Sequence, residues 1–127
     1  MKEKYDVPIA PESEFVSYMM EQMSNFGLPC TEEQAKDFYV YYALMIETNK
    51  YLNLTGITDM KEVVVKHMID SLSCYDSNII KSGMSIIDVG TGAGFPGIPL
   101  AIYDRSLKVT LFDSLKKRLT FLESVMD

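Results

Sequence analysis

Histidine occurs once in this sequence of 127 residues, cysteine twice and tryptophan not at all. His67 alone, with Cys30 and Cys74 far apart and outside any CxxC pair, does not make a zinc-ligand cluster. The same two cysteines are too few for a disulfide framework, so the chain reads as reduced and cytoplasmic. Met1 to Ala10 lack the apolar core of a secretory signal, and no run of the sequence has the length of a membrane span. Basic residues are outnumbered, 12 Lys and Arg against 18 Asp and Glu, for a net charge of −6. A surface that is acidic overall excludes gripping nucleic acid with the whole molecule. Any such role must rest on a local patch or on parts beyond this chain. Glycine is also scarce, and its placement is uneven: of seven glycines, four fall between positions 90 and 97.

That concentration marks the stretch around which the chain is organised. An apolar run with one embedded acid, Ile86-Ile87-Asp88-Val89, breaks into Gly90, Gly92, Gly94 and Gly97. The pattern predicts a strand, a loop and a helix, with backbone that approaches a ligand closely because no Cβ is in the way. The following helix is expected to aim free N–H groups and its positive dipole end into the same crevice. Pro96 suits its first turn, Pro99 is tolerated there, and the helix should run to about Tyr103. Leu107 to Phe112 then read as a second buried strand ending in Asp113. A last helix follows over 114–126, with Leu115, Leu119, Leu122 and Met126 on one face and Lys116, Lys117 and Arg118 near its start.

Upstream, residues 1–10 read as a loosely docked arm. Phe15, Tyr18, Met19, Met23 and Phe26 repeat at helical spacing until Gly27 and Pro29 stop the helix. Thr31 and Gln34 form a capping box for a second helix with Ala35, Phe38, Tyr39, Tyr42, Met45 and Ile46 inward. Tyr41 and Tyr42 are adjacent, so one of them is expected to face out. Asp59 starts a third helix that carries Val63, Val64, His67 and Met68, and a linker from Cys74 to Gly83 leads to the central strand. The order is three helices followed by βαβα, an α/β class with a helical extension. The expected division is 1–76 for the helical part and 77–127 for the start of the α/β domain. Two parallel strands do not make a self-sufficient doubly wound sheet, so the chain reads as the front part of a longer protein.

Asp113 follows Gly90 by about twenty residues, the spacing at which a carboxylate meets ribose hydroxyls in nucleoside-binding βαβ units. Two cofactor classes compete for the loop. Gly92, Gly94 and Gly97 match a dinucleotide GxGxxG. Asp88 followed by Gly90, Gly92 and Gly94 matches the GxGxG of S-adenosylmethionine enzymes. The second suits the residues better, because Asp88 is unfavourable beside a pyrophosphate and favourable beside a cationic sulfonium and ammonium. A purely structural use of the glycines, with Asp113 as a helix N-cap, is the plain alternative.

Four segments carry a resemblance to a known family: Asn53-Leu54-Thr55, Lys66-His67-Met68-Ile69-Asp70-Ser71, Asp88 through Ala101 with its Phe95-Pro96-Gly97-Ile98-Pro99, and Leu111 through Arg118. From about Tyr39 onward the chain resembles the glucose-inhibited division protein B family. The resemblance implies S-adenosyl-L-methionine-dependent methylation of guanine N7 in small-subunit (16S) ribosomal RNA, with the RNA or the small ribosomal subunit as partner. It implies an incomplete Rossmann-like methyltransferase fold, in which Gly90, Thr91, Gly92 and Phe95 line the methionine and adenosine region and Asp113 holds the ribose. Guanine N7 already carries a free lone pair, so no catalytic base is assigned, and His67 is read as packing or, with Lys66, as an aid to positioning RNA or the loop. The rival readings are a nucleotide (NAD-type) dependent oxidoreductase domain and an inactive cofactor-binding or interaction module, dimeric through its open sheet edge.

Overall fold

A computed structural model describes residues 8–52, 54–75, 80, 82–89, 91–113 and 116–126, without the side chains of Lys116, Lys117 and Met126. The segment 1–7 of the expected arm, Gly90 and Leu115 lie outside the described residues. Helix α1, Glu12–Phe26, ends where Gly27 adopts φ +93° and Leu28 N–H reaches back to the Met23 carbonyl at 3.1 Å. Helix α2, Glu32–Asn49, opens on the expected capping box. Gln34 N–H donates to Thr31 Oγ1 at 3.1 Å, and Thr31 N–H donates to Gln34 Oε1 at 2.9 Å. The two helices pack through Phe15 stacked on Tyr42, with ring centroids 5.0 Å apart. Ala10 is docked on the same seam, donating to Tyr42 and accepting from the Tyr39 hydroxyl.

A helical rod of three pieces comes next. It consists of α3, Met60–Glu62, a π-helical segment, Val63–Ile69, and α4, Asp70–Leu72. Asp59 caps it by accepting from Glu62 N–H at 3.2 Å, as its position predicts. Val63, Val64, Met68 and Leu72 are fully buried; the π-helical segment packs on α1, and the piece that carries Leu72 packs on the later helix Gly97–Tyr103.

Strand β1, Ser85–Val89, pairs in parallel with β2, Lys108–Phe112, with Ser85 opposite Lys108 and Asp88 opposite Leu111. Helix α5, Gly97–Tyr103, is the crossover, and α6, Lys116–Met126, follows β2 and buries Phe121 and Leu122 near α2. Helix α5 covers the sheet face that carries Asp88, Val109 and Leu111. The opposite face is open: Ile87 is 65%, Val89 78% and Phe112 52% exposed. The expectation of two buried strands therefore holds on one face only, because the helices stand on one side of the pair.

Tyr41 and Tyr42 correct a second expectation, for both are about 1% exposed. Helix α2 is sandwiched. Tyr42 faces α1, while Tyr41 faces the glycine loop on the other side, where its hydroxyl donates to the Ala93 carbonyl at 2.6 Å. A helix clasped on two faces buries neighbouring residues that a one-sided amphipathic helix would split.

Candidate cofactor-binding site

The loop between β1 and α5 is shaped by one carboxylate. Asp88, 9% exposed, accepts through Oδ2 from Thr91 Oγ1 at 2.7 Å and from Gly97 N–H at 3.0 Å. This bridges the end of the strand to the start of the helix and draws the intervening residues into a tight curl. Inside the curl the Thr91 carbonyl accepts from Gly94 N–H at 3.0 Å and Phe95 N–H at 3.2 Å. Thr91 N–H ties back to the Phe112 carbonyl at the end of β2. Gly94 has φ +108°, and a Cβ there would lie 2.5 Å from Ile98 Cδ1 and 2.9 Å from the Tyr41 hydroxyl. Only glycine fits that position.

Gly92 differs in kind. Its φ is +61°, nothing stands within 4 Å of where a Cβ would project, and its N–H donates to Asp113 Oδ2 at 2.8 Å. The structure thus joins the two sequence-predicted ends of the site, the glycine loop after β1 and the acid after β2, at the carboxyl edge of two parallel strands. Asp113 Oδ1 also faces Arg118 Nη1 at 3.7 Å. An ionised carboxylate accepts hydrogen bonds through both oxygens, and here one holds Gly92 while the other faces Arg118, with the side chain only 4% exposed.

The expectation about the following helix is overturned. The N–H groups that open α5 do not face the crevice as free donors. Gly97 N–H is engaged by Asp88, Ile98 N–H bonds the Gly94 carbonyl at 2.7 Å, and Pro99 has none. A pyrophosphate needs those donors without a competing carboxylate. Asp88 occupies that place, so the geometry weighs against a dinucleotide.

The Tyr41 hydroxyl is held well above the ordinary tyrosine range by burial and by the nearby Asp88 charge, and so remains a donor to Ala93. His67 stands beneath the loop, its ring stacked on Phe95 with centroids 4.2 Å apart and planes 12° from parallel. Burial lowers its pKa, with Asp70 acting in the opposite direction. Lys66 is brought elsewhere: exposed, it pairs with Glu62 one turn earlier at 3.6 Å. Of the predicted residues, Asp88, Thr91, Gly92, Phe95, Asp113 and His67 converge on the loop, Lys66 does not, and Gly90 lies outside the described residues.

Tyr41, Asn49 and Thr55 are the supports that sequence reasoning missed in this role. Asn49, 1% exposed, accepts from Leu54 and Thr55 N–H and donates to the Thr55 carbonyl, and Thr55 in turn meets His67. Only Thr55 left a signal, as part of the Asn53-Leu54-Thr55 segment. A groove between α2, α5 and α6, lined by Val40, Ile98 and the exposed Asp37–Arg105 pair, borders the loop through Tyr41 and Ile98 and holds no histidine or cysteine. Among the described residues no group of three or more His, Cys, Asp or Glu is placed to hold a metal, and no helix is long and apolar enough to cross a membrane.

A family model described as GidB, rRNA small subunit methyltransferase G, matches residues 34–127. Ribosomal RNA small subunit methyltransferase G of Lachnoclostridium phytofermentans is 46% identical over 111 residues, which are 87% of this chain and 46% of the relative. The protein of the same name from Thermoanaerobacter sp. is 50% identical over 112 residues, 88% of this chain and 47% of the relative. That of Clostridium botulinum is 43% identical over 113 residues. The chain spans about half the length of the curated relatives it matches. With the loop sequence, its Asp88 bridge and three quarters of its length inside the matched region, the chain belongs to the rRNA small subunit methyltransferase G (GidB) family.

Proposed function

We propose that this chain provides the S-adenosyl-L-methionine cradle of a cytoplasmic methyltransferase that acts on guanine N7 of 16S ribosomal RNA, free or in the small subunit. The observation that carries the reading is the Gly92–Asp113 link, which sets a carboxylate beside an unobstructed, left-handed glycine at the ends of two parallel strands. The residues present fit the cofactor. Gly92 leaves room for close approach, Asp113 offers oxygens to ribose hydroxyls, and the acidic Asp88 and Asp113 suit a ligand with cationic centres. Thr91 and Phe95 complete the lining, with Gly90 expected beside them. When bound, the cofactor supplies an electrophilic methyl on a sulfonium.

Within this reading the chain's residues orient and do not transfer protons. Guanine N7 presents a lone pair on the major-groove edge, so alignment supplies the main contribution. Asp88 keeps Thr91 and Gly97 in place, and Asp113 fixes Gly92 while holding ribose. Lys66, exposed on the rod, is available to RNA phosphate. The two-stranded unit and its helical extension form the front of a Rossmann-like fold; the expected division between 76 and 77 falls outside the described residues.

Titration with S-adenosylhomocysteine and, separately, NADH tests the proposal. S-Adenosylhomocysteine should bind the chain, and Asp113→Asn should weaken it about tenfold or more, as for a lost hydrogen bond to a charged group. Binding of NADH alone would overturn the reading in favour of an oxidoreductase domain. A second reading rests on the exposed Ile87, Val89 and Phe112. That face and its open edge suit pairing of two copies as an interaction module, which light scattering of the purified chain would reveal as a dimer.

A further inference from the structure

His67 is the only histidine of the chain and the methylation chemistry has no use for it as a base, yet its surroundings are built with care. Its Nε2 stands 2.8 Å from Thr55 Oγ1. The same Oγ1 accepts from Ile57 N–H at 3.1 Å, and the Thr55 backbone is held on both sides by the buried Asn49 side chain. On its other side the imidazole lies flat on Phe95, whose ring is flanked by Tyr41 at 5.6 Å. The histidine sits in the π-helical segment, a wider turn that often marks functional positions, and Ser71 Oγ donates to its carbonyl.

We propose that Asn49, Thr55, His67 and Phe95 form a brace that presets the curl of the glycine loop before any ligand arrives, with His67 as its positioning residue. The order of contacts runs without a gap from the end of α2 to the loop: Asn49 to Thr55 by three hydrogen bonds involving residues 54 and 55, Thr55 to His67 by one, and His67 to Phe95 by ring contact. Phe95 is itself part of the curl, since its N–H bonds the Thr91 carbonyl. A brace of this kind assigns the helical part a task toward the site that packing alone would not need. Its value for ligand affinity rests on the methyl-donor reading above; its effect on the loop does not.

The two claims separate in one set of variants. Thr55→Val keeps shape and removes the hydrogen bond, His67→Leu removes both bond and ring, and His67→Phe restores the ring alone. Hydrogen exchange should quicken at Gly94 and Phe95 amides by about two- to tenfold in Thr55→Val, the range of one ordinary hydrogen bond. His67→Leu should exchange faster still and His67→Phe should recover part of the protection, while α1 amides stay as in the wild type. Unchanged exchange at Gly94 and Phe95 in folded Thr55→Val would overturn the brace. S-Adenosylhomocysteine should bind the variants more weakly in the same rank order, and equal affinities would overturn its role in presetting the site. If exchange responds while the wild type binds no S-adenosylhomocysteine, the brace stands and the methyl-donor reading fails.

Discussion

Gly97→Ala inverts an ordinary expectation. Gly97 is the first residue of α5 and its φ is not in the left-handed region. Alanine at such a position normally stabilises by about 0.4–1 kcal/mol, through a less disordered unfolded chain. Here a Cβ would fall inside the contact distance of Leu111 Cδ2, and it would lie 3.0 Å from Asp88 Oδ2 and 3.2 Å from Val109 Cγ1. The leucine methyl is the end of a half-buried side chain and can swing away. Asp88 cannot move freely, because the same oxygen holds Thr91 and Gly97. Overpacking of this kind costs about 1–3 kcal/mol, which exceeds the gain. A net loss of about 1–2 kcal/mol is expected, or a fall in Tm of roughly 4–8 °C for a domain of this size. Urea unfolding followed by circular dichroism measures it, with a lower midpoint at unchanged slope. Leu111→Ala made in the same background should return part of the loss as a favourable coupling of about 0.5 kcal/mol or more. Gly92→Ala is the control: its left-handed φ should cost about 1–2 kcal/mol, with no coupling to Leu111, since nothing stands near its Cβ position. A Gly97→Ala chain as stable as the wild type would refute the argument that this helix is seated on the Asp88 carboxylate.

Asp88 itself should separate acceptor from charge. Asp88→Ala leaves the Thr91 hydroxyl and Gly97 N–H without their acceptor and should cost about 2–5 kcal/mol, whereas Asp88→Asn keeps an oxygen for both and should lose less than half as much in the same unfolding assay. Asp104 should set an acid limit. Hydrogen bonds from Ser106, Tyr75 and Ser82 lower its pKa from 3.8 to about 2. The folded state therefore releases its proton more readily than the unfolded chain, and the stabilisation is complete above pH 4 and lost as pH falls toward 2. Asp104→Asn should flatten that part of the pH–stability curve; an unchanged slope would sink the assignment.

Much of the architecture was legible along the chain because it is written in local chemistry. The capping box at Thr31 and Gln34, the stop at Gly27, the Asp59 cap and the βαβ order each depend on residues within a few positions of one another. The clustering of glycines with Asp88, and Asp113 at the end of the second strand, likewise marked the crevice, since such loops need small residues and an acid at defined spacing. Family membership was equally readable from the 88–101 and 111–118 segments.

What the tertiary structure decided was which donors and faces are already in use. No local rule says that Asp88 turns inward to seat Thr91 and Gly97, so the helix end that looked open to a ligand is closed by the protein's own carboxylate. Tyr41 and Tyr42 are both buried because α2 lies between α1 and the loop, a fact of three-dimensional neighbours that periodicity along one helix does not contain. The placing of His67 against Phe95 depends on contacts between residues distant in sequence, as does the outward face of Ile87, Val89 and Phe112. Sequence alone determined that a glycine crevice with two acids exists. Only the fold divided the acids, setting Asp88 to bridge Thr91 and Gly97 and Asp113 to hold Gly92 from the end of β2, because hydrogen-bond partners are chosen by proximity in space.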